Sequence, residues 1–272
     1  MKIAVAGKGG AGKTTFCATY TRLLARTGRR VVAIDGDTNP NLHTAIGIDR
    51  GAELPPFLPA SLVARRFDGP RLTETFDEVL ANYALPTPDG VHLLRMGVPR
   101  HADEGCMCSA HATVSAVLAE LDANADHTGT TTVLDLEASP EHLSRGTARH
   151  ADVLVLVAEP YFRSLEAVRL QATLAAETAI DRIAVVANKV RTADDGAAIA
   201  QFCERHGLEL VGSLPWSDAV LDADAATSSL LDHAPDDPVV EAVGVIMERL
   251  MAPSGEPVNA SMDAPVDVQV QG

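Results

Sequence analysis

Short apolar runs alternate with helical stretches along most of this chain. Seven runs rich in Val, Ile, Leu and Ala have the near-continuous hydrophobicity that is typical of strands buried on both faces of a parallel sheet. These strands are predicted at Lys2–Ala6, Arg30–Asp35, Val91–Met96, Thr131–Leu136, Asp152–Ala158, Arg182–Asn188 and Leu208–Leu214. Apolar residues at helical spacing predict helices at Lys13–Thr27, Ser109–Asn124, Pro140–His150, Leu165–Thr178, Ala193–His206 and Pro238–Met251. The alternation of strands and helices along the chain predicts an α/β fold with a doubly wound, mostly parallel sheet of about seven strands flanked by helices.

Two stretches depart from this alternation. Residues 40–89 are long and rich in proline, with one predicted helix near Glu74–Tyr83, so we expect an insertion over the ligand-binding edge of the sheet. Residues 252–272 are rich in Pro, Ser, Asp and Gly and poor in large apolar side chains, which is typical of a disordered tail. Residues 1–251 are therefore predicted to form a single domain.

Composition narrows the class of protein. The 272 residues are 46% hydrophobic but only 4% aromatic, which predicts a globular protein with an aliphatic core. The formal net charge of −15 argues against nonspecific binding to nucleic acid or to anionic membranes. No segment approaches the length of a membrane span, and the chain enters its first strand without a signal peptide. Four cysteines are too few for a disulfide scaffold. We expect a cytoplasmic protein that binds neither nucleic acid nor membrane.

Residues 7–14, Gly-Lys-Gly-Gly-Ala-Gly-Lys-Thr, have the spacing of a phosphate-binding loop between the first strand and the first helix. Glycines let backbone N–H groups curl around an anion, and the helix directs its positive dipole end at the phosphates. Lys13 supplies a full charge to the β- and γ-phosphates, and the Thr14 hydroxyl suits Mg²⁺. The residues expected to contact the nucleotide here are Gly9, Gly10, Ala11, Gly12, Lys13, Thr14 and Thr15.

Lys8 lies too near the start of the loop to be the phosphate-binding lysine of that loop, which is Lys13. One interpretation is that it reaches the nucleotide of a second subunit packed face to face. Residues 8–15, KGGAGKTT, resemble the deviant Walker A motif of the family that includes MinD, ParA and the nitrogenase iron proteins. The resemblance implies a P-loop NTPase fold and an ATP-dependent homodimer. It also implies that Lys8 contacts phosphates across that dimer, as a catalytic residue beside Lys13.

Acidic residues end two of the predicted strands. A carboxylate in Asp35-Gly36-Asp37 can hold Mg²⁺ through water and orient an attacking water. The family resemblance places that role on the second acid, Asp37, although an aspartate that only forms a turn or a helix cap fits the same residues. Residues 131–135, TTVLD, have the Walker B pattern of an apolar strand ending in an acid. Asp135 is therefore predicted to bind Mg²⁺.

Candidate base-binding residues follow the later strands. The amide of Asn188 can bond both a donor and an acceptor of adenine, and the family resemblance supports that contact. Pro215 and Asp218, after the last predicted strand, are expected to line the same pocket. Arg191 occupies the position where guanine-specific sites have an aspartate, which favours ATP over GTP.

Cys106 and Cys108 form a C-x-C pair after the third predicted strand. Two thiols at this spacing can chelate one soft metal ion but supply only half of a tetrahedral site. A two-fold dimer would bring four thiolates together, so the dimer suggested by Lys8 and this half-site support each other. Packing residues, a redox pair and a structural zinc site are the alternatives.

Residues 135–138, DLEA, and 141–147, EHLSRGT, together with the C-x-C pair, resemble CooC-type ATPases, which mature nickel-containing carbon monoxide dehydrogenase and acetyl-CoA synthase. The resemblance implies a slow ATPase and metallochaperone. Its cofactors would be ATP or ADP, Mg²⁺, and Ni²⁺ or Zn²⁺ at the dimer interface, and its client an apo metalloenzyme such as a carbon monoxide dehydrogenase.

Two other functions use the same nucleotide site. A positioning or partition ATPase of the ParA or MinD kind would run the ATP cycle without metal chemistry. An electron donor like the nitrogenase iron proteins would hold an iron–sulfur cluster at the dimer axis. Those proteins use two separated cysteines, and residues 136–202 of this chain contain none.

Overall fold

Seven parallel strands and one antiparallel edge strand make up the main sheet of the computed structural model, which describes residues 1–49, 51–66, 69–98, 101, 107–123, 129–139, 143 and 147–252. The strands are β1 Lys2–Gly7, β2 Val31–Gly36, β3 Val63–Arg66, β4 Gly69–Leu72, β5 Leu85–Pro86, β6 His92–Arg95, β7 Thr131–Leu136, β8 Val153–Ala158, β9 Arg182–Val190 and β10 Glu209–Pro215. The helices are α1 Lys13–Arg26, α2 Leu42–Ala45, α3 Phe76–Tyr83, α4 Cys108–Ala123, α5 Phe162–Ala175, α6 Ala193–His206, α7 Asp218–Ala225, α8 Leu230–His233 and α9 Pro238–Met251. Single 3₁₀ turns lie at Ala60–Leu62 and Pro88–Gly90.

The strand order in the main sheet is β10-β9-β8-β1-β7-β2-β6-β5, and β5 alone runs antiparallel to its neighbour there. All seven predicted strands are present, and the predicted doubly wound α/β fold is confirmed. Because the long strands are parallel, their carboxyl ends share one edge of the sheet. That edge carries the residues that follow β1, β2, β6 and β7.

Both faces of the sheet are buried, which explains why the strands are continuous apolar runs. In β1, Ile3 and Val5 join the core on one face, whereas Ala4 and Ala6 join the core on the other. The first core is completed by α1 and α9, and the second by α3, α4, α5 and α6. The nucleotide-binding edge is therefore built on strands that are held from both sides.

The segment predicted as an insertion contains α2, the antiparallel β3–β4 hairpin and α3. Its chain packs against the end of β6, where Leu58 N donates to the Arg95 carbonyl (2.9 Å) and the Arg95 guanidinium lies 4.3 Å from the Phe57 ring centre. The segment thus reaches the carboxyl edge of the sheet. The helix predicted near Glu74–Tyr83 is present as α3, and a capping box between Thr75 and Glu78 fixes its start.

Some predictions fall outside the described residues. Of the helix predicted over Pro140–His150, residues 140–142 and 144–146 are outside them, and 147–150 form turns. The tail predicted to be disordered also lies outside, from residue 253 onward. The predicted helix Leu165–Thr178 starts earlier, because α5 begins at Phe162. A bilayer-crossing helix needs about 20 apolar residues, and among the described residues no helix combines that length with that apolarity.

Arg22 of α1 is a buried cation at the centre of an ion network. Its side chain is 3% exposed and pairs with Asp89 (Nε to Oδ2, 2.7 Å) and, through both terminal nitrogens, with Asp232 (2.6 and 2.8 Å). Ser229 Oγ accepts a further hydrogen bond from Nη1 (2.7 Å). The network joins α1 to the 3₁₀ turn before β6 and to α8.

We expect Arg22→Ala to lower the free energy of unfolding by about 2 kcal/mol, because it removes a buried cation that holds charged hydrogen bonds to two acids and a hydroxyl. Arg26→Ala is the matched control, since Arg26 contacts Asp89 (3.0 Å) with a side chain that is 44% exposed. Exposed pairs contribute about 1 kcal/mol or less. Urea denaturation measures both variants, and equal losses would show that the Arg22 network is not a stabilising feature.

Candidate functional site

The loop between β1 and α1 has the backbone geometry of an anion-binding loop. Gly7 and Gly12 lie in the left-handed region, with φ of 145° and 94°. A Cβ at Gly7 would be 2.6 Å from the Val157 carbonyl oxygen, and one at Gly12 would be 2.3 Å from Asn188 Nδ2. Glycine is therefore required at both positions, for conformation and for space. The loop leads directly into α1, and the free backbone N–H groups at the start of that helix point toward the loop.

Lys13, the first residue of α1, is buried, and its ammonium returns across the loop to donate to the Lys8 carbonyl (3.3 Å). This places a cation over the concave side of the loop, as expected for the phosphate-binding lysine. Lys8 points elsewhere. Its ammonium lies 5.7 Å from the centre of the Tyr161 ring and 3.4 Å from the Gly9 carbonyl oxygen. The structure thus separates the two lysines, one inside the loop and one outside it.

Asp35 and Asp135 lie directly opposite each other in the register of β2 and β7. Both are buried, and burial raises the pKa of Asp135 to about 7 and that of Asp35 to about 6. Both carboxylate oxygens of Asp35 already have partners, because they accept hydrogen bonds from the backbone N–H of Leu42 (2.9 Å) and of Asp37 (3.2 Å). The Thr14 hydroxyl lies close enough to Asp135 to act against this rise in its pKa, and Oδ1 of Asp135 is buried without a hydrogen-bond partner.

The Asp135 site fits Mg²⁺. A buried carboxylate oxygen without a partner, beside a hydroxyl that follows the phosphate-binding lysine, is an arrangement of hard oxygen ligands that a divalent cation satisfies. Thr14 and Asp135 would hold the ion. Asp37 is near enough to raise the pKa of Asp135 electrostatically, and its Oδ1 accepts the backbone N–H of Asn39 (2.8 Å). Asp37 therefore forms a turn at the site's edge, and its predicted catalytic role stays a prediction.

A mostly apolar pocket that is partly open to solvent adjoins the loop on the side of β9 and β10. It is lined by Gly12, Thr15, Phe16, Asn188, Lys189, Leu214, Pro215, Trp216, Ser217, Val220, Leu221 and Val239. An apolar pocket with a few polar groups beside a phosphate-binding loop suits a nucleobase. Trp216, the chain's single tryptophan, is stacked by Arg191 at 3.7 Å. Asp218 is exposed and accepts a hydrogen bond from the Trp216 indole (2.9 Å).

Asn188 borders this cavity, but its amide also supports the loop. Nδ2 donates to the Ala11 carbonyl (2.6 Å), and Oδ1 accepts the backbone N–H of Lys189 (2.8 Å). Each of these atoms retains one further hydrogen-bonding position. The contact with a base predicted for Asn188 is thus still open to it, and its observed role is to hold the loop.

Sequence reasoning missed a second group of residues that touches the loop. Lys189 has a left-handed backbone (φ 58°) and donates from its ammonium to the Gly10 carbonyl (2.5 Å). The same ammonium pairs with Glu159, at 2.8 Å. The one signal in the sequence was rarity, because Lys189 alone of the four lysines follows the loop.

The structure places one of the two cysteines of the predicted metal half-site. Cys108 is exposed and opens α4, at the sheet edge that carries the phosphate-binding loop, whereas Cys106 lies outside the described residues. Cys108 is disulfide-bonded, so metal binding through its thiolate requires a reduced chain. Within the described part of the chain, no group of three or more His, Cys, Asp or Glu side chains could hold a metal ion.

Fold and loop together define a nucleotide-binding P-loop protein. The chain belongs to the CobQ/CobB/MinD/ParA family of nucleotide-binding domains, whose model matches residues 2–230. The family predicted from the loop is therefore confirmed.

Individual relatives cover most of the chain. It is 34% identical over 249 residues to the carbon monoxide dehydrogenase accessory protein CooC of Rhodospirillum rubrum, covering 86% of this chain and 91% of that protein. An uncharacterized ATP-binding protein of Methanocaldococcus jannaschii is 30% identical over 237 residues, covering 82% and 88%.

Solved structures share the fold at low identity. The MinD cell division protein of Aquifex aeolicus superposes with a TM-score of 0.69 at 18% identity, covering 95% of this chain and 98% of that one. A ParA family ATPase from Chlorobium tepidum gives 0.66 at 19% identity, covering 92% and 97%. The overall fold is thus shared with these proteins.

Proposed function

We propose that this protein is a dimerising ATPase that handles nickel during maturation of a carbon monoxide dehydrogenase-type enzyme. The observation that carries the proposal is the similarity to CooC over 91% of that protein, combined with a C-x-C pair in the sequence whose second cysteine, Cys108, lies at the sheet edge that carries the phosphate-binding loop. The reaction is hydrolysis of ATP to ADP and phosphate. Its expected rate is slow, because no strong general base is evident among the described residues of the site.

Residues of one chain bind the nucleotide. Loop N–H groups and Lys13 hold the β- and γ-phosphates, and the apolar cavity beside Asn188 and Pro215 takes the adenine. Thr14 and Asp135 would hold Mg²⁺, which would neutralise phosphate charge. Asp37, at the edge of this acidic group, orients the attacking water.

A second chain completes the site. Lys8 lies outside its own loop, where its ammonium is available to a partner packed against the same face. A cation supplied from a partner subunit stabilises the charge that develops on transferring phosphate. ATP binding thus causes the homodimer to form, and hydrolysis requires that homodimer.

The same closure gathers the metal ligands. Cys106 and Cys108 supply two thiolates from each chain, and four converge at the two-fold axis to hold one Ni²⁺ or Zn²⁺ as cargo. Hydrolysis loosens the dimer and with it the site, so that the ion passes to an apo-enzyme. The acidic surface of the protein, with a net charge of −15, favours cations over nucleic acid as its ligands.

The ATPase part is tested by Asp135→Asn, which keeps the shape of the buried side chain and removes the charge that holds Mg²⁺. We expect Mg²⁺-dependent ATP turnover to fall on the order of 100-fold. Asp152→Asn is the matched control. Asp152 pairs with Lys2 (3.0 Å) at the opposite end of β1 from the phosphate-binding loop. Turnover that is equal in Asp135→Asn and wild type would contradict the assignment.

A further inference from the structure

Glu159 is a buried carboxylate that follows directly on β8 and faces the phosphate-binding loop. It is 7% exposed, and both of its oxygens are used. Oε1 pairs with the Lys189 ammonium (2.8 Å), and Oε2 accepts the Tyr161 hydroxyl (2.6 Å). Its backbone N–H donates to Ser164 Oγ (2.9 Å), which fixes the start of α5 against the end of the strand. A buried charge with this many partners is held in one position.

Lys189 transmits that position to the loop. Its ammonium donates to the Gly10 carbonyl at 2.5 Å while it contacts Glu159. Gly10 has φ of 78°, which most other residues rarely adopt. Because glycine has no Cβ, the peptides on either side of it can rotate more freely than those beside other residues. A hydrogen bond to the carbonyl fixes the orientation of that peptide. The loop N–H groups are thereby kept aimed at the anion position before any phosphate is bound.

Tyr161 connects the same carboxylate to Lys8. The hydrogen bond to Glu159 raises the pKa of Tyr161 to about 12, so the hydroxyl stays protonated and continues to donate. The ring lies under the Lys8 ammonium at 5.7 Å, within the range of a cation–π contact. Glu159 therefore supports both cations outside the loop, Lys189 by direct contact and Lys8 through Tyr161.

We infer that Glu159 is a positioning residue for the triphosphate, acting through Lys189 on the Gly10 peptide and through Tyr161 on Lys8. The inference depends on the proposed function in one respect, which is that ATP is the ligand of this site. Gly10 lies in the middle of the loop, three residues before Lys13, so its peptide is expected to act on the phosphates that Lys13 holds, the β- and γ-phosphates, which AMP lacks. Loss of Glu159 should therefore weaken ATP binding and spare AMP.

The sign of the effect separates positioning from simple electrostatics. Glu159 is an anion near the place where phosphates bind. If it acted only through its charge, its removal would strengthen phosphate binding. If it acts by holding the loop ready, its removal weakens binding, because the loop must then be ordered when the ligand arrives.

Isothermal titration calorimetry of the full chain with ATP and with AMP, each with Mg²⁺, tests this inference. We expect Glu159→Gln to weaken ATP binding about tenfold, as for loss of a charged hydrogen bond, and to change AMP binding less than about twofold. Glu166→Gln is the control, since Glu166 pairs with Arg169 on the exposed side of α5 and should leave both ligands unaffected. Glu159→Gln with Lys189→Met should cost little more than either change alone, because the two side chains act as a unit.

Unchanged or tighter ATP binding in Glu159→Gln would overturn the inference, and so would equal losses for ATP and AMP. Additive losses in the double variant would also overturn it. These results leave the proposed function standing provided that the wild type binds and hydrolyses ATP. A wild-type protein that binds no ATP would instead refute the proposed function and this inference together.

Discussion

Lys8→Ala is expected to leave the protein monomeric in the presence of ATP and to lower ATP turnover about 1,000-fold, as removal of a trans-acting cation does in other phosphoryl-transfer enzymes. The positions of the two lysines are the reason we expect the loss to fall on the proposed dimer. Lys13 occupies the loop interior, whereas the Lys8 ammonium lies outside it against Tyr161. ATP binding to one chain depends on Lys13 and the loop N–H groups, so it should change little.

Arg205→Ala is the matched control for Lys8→Ala. Arg205 is an exposed cation in the last turn of α6, at the edge of the sheet opposite the phosphate-binding loop. Removing its charge should alter neither mass nor turnover. Light scattering with and without ATP gives the mass, and phosphate release gives the rate. A Lys8→Ala protein that still dimerises and hydrolyses ATP at the wild-type rate would remove the basis for a shared site.

Replacing both Cys106 and Cys108 with serine is expected to abolish stoichiometric binding of Ni²⁺ or Zn²⁺ while leaving ATP binding intact. A serine hydroxyl is a poor ligand for these ions, which thiolates bind strongly. The remaining cysteines do not substitute, since Cys17 and Cys203 are buried and burial raises the pKa of both thiols. The protein must be reduced before the measurement, because Cys108 is disulfide-bonded in the structure.

Cys203→Ala provides the control, because it removes a buried thiol of α6 and leaves the C-x-C pair unchanged. Metal analysis after gel filtration should give the wild-type metal content for Cys203→Ala and none for the double serine variant. Equal metal content in all three proteins would place the metal elsewhere. It would then favour an ATP switch of the partition kind, without metal chemistry.

The sequence predicted those parts of the fold and site that depend on local pattern. Buried parallel strands are continuous apolar runs, so all seven were found. The loop was evident from glycine and lysine spacing, and Asp135 from its place at the end of an apolar strand. Strand β5 was missed because Leu85–Pro86 is too short to form a pattern, and the β3–β4 hairpin because its composition resembles the rest of a proline-rich segment.

The support of the loop could not be predicted in the same way. Glu159 and Lys189 are 30 positions apart in the sequence and meet only because β8 and β9 are neighbours. Asn188 was assigned to the base, yet it reaches Ala11, which is 177 residues away. Such contacts follow from strand order, which the hydrophobic pattern does not specify. In the sequence itself, Lys189 stood out only as the single lysine that follows residue 13.

The central claim is that ATP closes a dimer which then holds one metal ion between its subunits. Native mass spectrometry of the reduced protein with Ni²⁺, in the presence and absence of a non-hydrolysable ATP analogue, tests it most directly. The account predicts a dimer with one nickel ion per two chains when the analogue is bound, and loss of that species in the Cys106 and Cys108 double variant. A monomer with the analogue bound, or a dimer that carries no nickel or one ion per chain, would contradict it.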